Sequence, residues 1–264
     1  MKHILVPIGS KKTASNTLQY AIDFAKEIKA KVYVFRAYKA LSKTGTFINI
    51  NAILERETNL YLKTMIQSID TKDVDVTMIS AKGGTIESIS SVHEELGIDL
   101  IVVGPRSNSI KEEVFLGNTS GSIVKQTTIP VLIVPELHQF KPFKLALTAF
   151  KSGKLEKKGV LIPLQEIQKK FQTKVNLLLV KTPDYNEEDL IIDSSLKTIQ
   201  NTFSISENVT TFQGVLEHFQ SNNPDLLCVF RRRRGFFQKL WEKNTVMKSE
   251  FHCSIPLLIL SGKQ

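Results

Sequence analysis

The stretch DLIVVGPRSNSIKEEVFLGNTSGSIVKQTTIPVLIVP, Asp99 to Pro135, decides the fold. It runs from an apolar segment of strand length through a glycine-punctuated loop into a short helical segment, and leaves through a second apolar strand. An echo, DLLCVFRRRRGFFQKLWEKNTVMKSEFHCSIPLLIL, spans Asp225 to Leu260. One constant offset aligns Asp99 with Asp225, Asn118 with Asn244, Thr119 with Thr245 and Pro130 with Pro256, so two copies of one unit lie in tandem. The copies differ at the ends of their loops, where Gly104 and Gly117 of the first become Phe230 and Lys243 of the second.

Outward from this stretch, apolar runs of strand length alternate with segments of helical period, the pattern of parallel strands joined by crossover helices. HILVPI, KVYVFRAY, VDVTMIS, IDLIVVG and PVLIVP supply five strands in the first half. Leu18, Ala21, Ile22, Ala25 and Ile28 recur at spacings of three and four and line one side of a helix. Similar spacing predicts helices over 52–69 and 86–96. The polar segment ELHQFKP reads as a linker. The order then restarts with KLALTAF, KVNLLLVK, NVTTFQ, DLLCVF and PLLIL as strands, and helices near 161–171, interrupted by Pro163, 189–202 and 215–221. The expected division is a first domain over 1–136, a linker over 137–142 and a second domain over 143–264.

The 264 residues, with 42% hydrophobic and 23% charged, suit two soluble domains of this size. No apolar run approaches the ~20 residues that span a bilayer, and a cytosolic location is expected. Cys228 and Cys253 lack metal-ligand spacing and read as buried small hydrophobes. The net charge of +9 comes mostly from scattered lysines, which are solvated faces rather than a nucleic-acid footprint. The one concentrated cluster is Arg231 to Arg234. None of the five histidines pairs at metal-ligand spacing, and no Gly-x-Ser-x-Gly elbow or P-loop occurs. No metal site and no catalytic residue is expected. Asp99 and Asp225 open their strands, opposite the ligand rim, and read as loop ties.

In open parallel sheets, ligands gather beyond the carboxyl ends of the strands. Gly104 ends a strand there, and a glycine lets a phosphate reach the main chain without meeting a Cβ. Gly117, Asn118, Thr119 and Ser120 open a helix whose free N–H groups and hydroxyls suit an anion, while an ordinary capped turn would use the same residues. The text GPRSNSIKEEVFLGN closely resembles the loop of the universal stress protein family, whose nucleotide-binding members carry Gly, two residues, Gly, nine residues, Gly, then Ser or Thr. Gly104 and Gly117 keep that frame. Ser107, after Arg106, stands at the middle glycine, and Asn118 stands at the hydroxyl position with Thr119 one place later. HILVPIGS resembles the family's opening strand, and both halves end in its proline plus apolar strand, so the resemblance covers the whole chain.

The resemblance implies an α/β fold of two tandem doubly wound domains, each a five-stranded parallel sheet with helices on both faces, like the adenine nucleotide alpha hydrolases. It further implies that Pro7, Ile8 and Gly9 lie near the ribose and base, with Gly9 where the family has an aspartate, and that Ala37 offers backbone groups to an adenine. The terminal strands at 130–135 and 256–260 are edges that pair across a two-fold in the family, so this chain is expected to be a pseudo-dimeric monomer that can associate further into a homodimer. The first expectation is a stress-response sensor that binds ATP, AMP or another adenine nucleotide weakly in its first half, with at most slow hydrolysis. The second half, crowded by Phe230, is expected to hold no such site. An alternative makes the chain a nucleotide-free interaction protein whose Arg231, Arg232, Arg233 and Arg234 dock an acidic or phosphorylated partner, against a solvated loop bonded to local carboxylates such as Glu242. An enzyme of small phosphorylated metabolites would rest on fold analogy alone. Trp241 with Phe236 and Phe237 is read as packing under the loop, not as a base-stacking platform.

Overall fold

The computed structural model describes residues 1–9, 14–39, 50–104, 118–155, 157–231 and 255–261. These form two compact units. The first holds 1–104, 118–129 and Glu136–Phe140; the second holds Pro130–Pro135 and the chain from Lys141 onward.

The first unit contains strands β1 (His3–Pro7), β2 (Lys31–Tyr38), β3 (Val76–Lys82) and β4 (Leu100–Val103), with helices α1 (Ala14–Ile28), α2 (Ile50–Gln67), α3 (Thr85–Leu96) and α4 (Asn118–Gln126). The strands lie in the order β3-β2-β1-β4. Ile4, Leu5 and Val6 of β1 and all of β4 are buried, as central strands covered on both faces must be. Helix α1 turns Thr17, Leu18, Tyr20, Ala21, Ile22, Phe24 and Ala25 inward. It packs on β1 and β2, while α2 packs on β2 and β3. Helix α3 stops at Gly97, whose left-handed backbone (φ 64°) returns its N–H to His93 O.

The second unit contains β5 (Val131–Ile133), β6 (Leu145–Phe150), β7 (Lys174–Lys181), β8 (Gln200–Glu207), β9 (Leu226–Arg231) and β10 (Leu257–Ser261), with helices α5 (Ile162–Phe171), α6 (Ser194–Ile199) and α7 (Thr211–Asn222). Its strand order is β5-β10-β9-β6-β7-β8. The expected edges meet each other: β5 pairs antiparallel with β10 through Ile133–Leu257, Leu132–Leu258 and Val131–Ile259. The other ladders of the unit are parallel.

The repeat holds at atomic detail. Asp99 Oδ2 accepts the N–H groups of Lys2 (2.6 Å) and His3 (3.0 Å), and its own N–H donates to His3 O. Asp225 Oδ2 accepts those of Lys144 (2.9 Å) and Leu145 (3.0 Å), and its N–H donates to Leu145 O. Each aspartate therefore ties the first strand of its half to the fourth, at the amino end of the sheet.

Three local expectations need correction. NVTTFQ is not a strand: Asn208 follows β8, and Thr210 caps α7, its hydroxyl accepting from Gln213 N (3.2 Å). The strand is the polar run QNTFSISE just before it. The helix expected over 189–202 is a 3-10 turn at Glu187–Leu190 followed by the six residues of α6, which run directly into β8. Pro163 does not interrupt α5; it lies in the first turn, where a missing N–H costs nothing.

Candidate functional site

In the first unit the chain moves outward through β1, β2 and β3, then crosses back to place β4 on the far side of β1. Strand order thus reverses between β1 and β4, the point where open α/β sheets form a crevice at their carboxyl ends. Ile8, Gly9 and Gly104 stand at that point, and Ala37 is the last residue but one of the neighbouring strand β2. The β1–β2 ladder closes with Pro7 opposite Phe35, and Ile8 N donates to Phe35 O (2.8 Å). Polar groups alternate sides along a strand, so Ala37, two residues beyond Phe35, turns its N–H and C=O toward the line of β1 past that strand's last rung.

Gly9 is held from the side. The Tyr61 hydroxyl of α2 donates to Gly9 O at 2.7 Å, and the Arg36 guanidinium lies over the Tyr61 ring with Cζ 4.1 Å from its centroid. Among the described residues no atom lies within 4 Å of where a Cβ on Gly9 would be. Tyr61 and Arg36 carried no signal in the sequence, because the contact joins positions 52 residues apart.

Gly104 meets a different neighbour from the one expected. A Cβ there would stand 2.5 Å from Thr17 Oγ1, so the glycine first of all lets α1 lie close against the end of β4. Its carbonyl accepts the Ser120 hydroxyl (3.0 Å), which anchors the amino end of α4 beside the crevice. Asn118 is the first helical residue and Thr119 is exposed. Amide groups of the first α4 turn therefore open beside Gly104. Arg106, Ser107 and Gly117 lie outside the described residues.

The matched aspartate ties set the equivalences in the second unit: Phe150 stands for Ile8, Lys151 for Gly9 and Phe230 for Gly104. Here the rim is filled. The rings of Phe150 and Phe230 meet edge to face, centroids 6.2 Å apart, both buried. The segment after β7 straps across the end of β6: Gly153 N donates to Asp189 O (2.8 Å), and Asp193 N donates back to Gly153 O (3.0 Å). Ion pairs of Lys151 with Asp184 and of Lys154 with Glu188 reinforce it, and the bonds from Lys151 and Thr182 hold the Asp184 carboxyl down at about 2. A Cβ on Gly153 would strike Ile191 O at 2.6 Å, so the strap needs that glycine. One open volume of this unit, about 320 Å³, lies away from that rim, lined by Leu155, Gly159, Leu161, Gln165, Asp193 and Ser195 among others.

Arg231 is the last residue of β9 and is buried, which removes it from the solvent-facing cluster read in the sequence. Arg232, Arg233 and Arg234 lie outside the described residues, as do Trp241, Glu242 and Cys253. Cys228 is buried, and burial pushes its thiol up, so it is not a nucleophile. Among the described residues no group of His, Cys, Asp and Glu is placed to hold a metal, and no helix is long and apolar enough to cross a membrane.

The comparisons with known proteins agree with this geometry. The sequence profile of the universal stress protein family matches residues 1–135. A universal stress protein of Methanocaldococcus jannaschii is 25% identical over 138 residues, which cover 50% of this chain and 81% of that protein. Universal stress protein YxiE of Bacillus subtilis is 28% identical over 143 residues, 50% of this chain and 97% of that protein. Both halves are matched in fold by the crystal structure of a universal stress protein from Archaeoglobus fulgidus, at TM-score 0.70 and 18% identity over 98% of this chain and 96% of that one. With a family profile spanning half its length, and with its halves repeating one doubly wound plan, this chain belongs to the universal stress protein family.

Proposed function

We propose that the first half binds an adenine nucleotide, ATP or AMP, at the crevice between β1 and β4, and that the protein acts as a cytosolic stress-response sensor whose occupancy alters its partner choice. The observation that carries this reading is the convergence of Gly9, Gly104 and the amino end of α4 at the sheet's reversal point, where no described atom crowds Gly9. Phosphate oxygens would take the α4 amides, that of Ser120 among them, and the Thr119 hydroxyl, while the Ser120 hydroxyl stays on Gly104 O; the base would take the backbone of Ala37. No carboxylate stands at Gly9, so affinity is weak and hydrolysis at most slow. Domain limits of 1–136 and 143–264 follow from the same reading.

Calorimetric titration of the intact chain with ATP, ADP and AMP tests it. A saturable heat that disappears in Gly117→Val is expected, and no heat at millimolar nucleotide overturns the proposal.

A second reading draws on the filled rim of the second unit, which leaves that half without a nucleotide crevice and free for another task. There Arg232, Arg233 and Arg234 would dock an acidic or phosphorylated partner, and the buried Arg231 would not take part. Replacing the three by glutamate should abolish retention on an immobilised phosphopeptide; unchanged retention excludes this surface.

A further inference from the structure

Strand β2 closes with Arg36, Ala37 and Tyr38, at the carboxyl end of the sheet beside Gly9. The Arg36 guanidinium lies 4.1 Å from the centre of the Tyr61 ring, whose hydroxyl donates to Gly9 O at 2.7 Å, so a single aromatic ring separates this charge from the end of β1. Among the described residues Arg36 has no ion pair, and its buried Nη1 meets no hydrogen-bond acceptor. The carboxylate of Glu55, on the same helix as Tyr61, takes the Tyr38 hydroxyl instead. A buried guanidinium donor without an acceptor costs stability, whereas the same donor facing an anionic ligand is a strong contact. The second half shows what the position becomes when no ligand is in question. The aspartate ties match His3 with Leu145, and the ladders pair His3 with Lys31 and Leu145 with Lys174, which sets Leu179 in the place of Arg36. Leu179 is fully buried and lies opposite Phe150, one of the two rings that fill that rim. The charge therefore stands in the half without those rings, and an apolar side chain in the half that has them.

We propose, building on the nucleotide reading of this crevice, that Arg36 binds a phosphate on the ribose, so that the first half selects an adenine nucleotide phosphorylated at the 2′ or 3′ oxygen as well as at the 5′. With the base on the Ala37 backbone and the 5′-phosphates at the amino end of α4, the ribose lies between them, over Gly9. In dinucleotide-binding sheets an acid beyond the first strand takes the ribose hydroxyl, and an arginine nearby accommodates a ribose phosphate instead. Here the end of β2 offers the arginine, and Gly9 offers no side chain to compete for the sugar. The guanidinium is only partly buried, and its planar fork suits two phosphate oxygens at once. Tyr61 holds it from below through the ring face and fixes the Gly9 carbonyl through the hydroxyl, so the charge and the floor under the sugar are set by one side chain. ATP, ADP and AMP carry no anion on the ribose and leave Arg36 unanswered, in keeping with their weak binding.

Titration calorimetry of the intact chain with ADP, adenosine 2′,5′-bisphosphate and adenosine 3′,5′-bisphosphate tests this with ligands that all carry a pair of phosphates. One of the bisphosphates is expected to bind about tenfold tighter than ADP or better, the gain of one charged hydrogen-bonded contact, and which one it is assigns the oxygen. Arg36→Gln, with an unchanged far-ultraviolet spectrum, should lose that preference, and Arg36→Lys should keep part of it. Equal binding of ADP and both bisphosphates by the wild type overturns the ribose-phosphate assignment and leaves the nucleotide reading standing. A preference that is undiminished in Arg36→Gln has the same effect. No heat from any of the three at millimolar concentration removes both readings together.

Discussion

Thr17 occupies the place that a side chain on Gly104 would need, its Oγ1 2.5 Å from that Cβ position. The end of β4 and helix α1 are thereby matched to each other, and the match reaches the crevice through the Ser120 bond to Gly104 O. Gly104→Ala is expected to cost about 1–3 kcal/mol by overpacking. Adding Thr17→Ala should return part of that loss, read as the urea midpoint by circular dichroism. Equal losses in the two backgrounds would show that another contact is responsible.

Tyr61 fixes Gly9 through its hydroxyl, so Tyr61→Phe removes one hydrogen bond and keeps the ring under Arg36. The expected loss of stability is about 0.5–1.5 kcal/mol. Nucleotide affinity should fall more than this loss suggests, because the Gly9 carbonyl is released beside the proposed base. Calorimetry on the variant gives the answer, and an unchanged affinity would remove Tyr61 from the site.

Phe230 fills the rim of the second unit against Phe150. Phe230→Ala is expected to destabilise that unit by about 3–5 kcal/mol, the usual cost of a large buried aromatic. The heat of nucleotide binding should stay as in the wild type under conditions where the variant is folded. A second binding event in the variant would mean that the aromatic pair alone had closed an otherwise competent crevice.

The strap over β6 carries a pH signature. Lys151 and Thr182 depress the Asp184 carboxyl to about 2 in the folded chain, so its contribution is present above the ordinary carboxylate range and is lost as pH falls toward that value. Lys154 depresses Glu188 in the same direction. The difference in urea midpoint between wild type and Asp184→Asn should be largest near neutrality and should narrow as the solution is acidified below about pH 4. A difference that widens on acidification would contradict the assignment. The group is well exposed, so the effect is small.

The plan of the fold was legible because its central strands are apolar on both faces and its aspartates repeat at one offset. Asp99 and Asp225 read as ties, and both are. The edge of the second unit was not legible, since QNTFSISE lies exposed and lacks the apolar text by which a buried strand announces itself, while the β-branched VTT of NVTTFQ imitates a strand and yet leads into a helix. At the crevice, Gly104 was legible as a position that needs glycine, but not the reason, because Thr17 approaches it from a helix 87 residues earlier in the chain. Tyr61 and Arg36 show the same limit: a side chain that reaches a distant carbonyl leaves no local pattern.

The three rungs between β5 and β10 join a strand from the middle of the chain to one near its end. During synthesis, Val131–Ile133 leaves the ribosome well before its partner Leu257–Ile259 has been made. Cutting the gene at the polar segment after Pro135 would therefore produce two fragments that each carry a bare strand, and they should recover their solubility when expressed together.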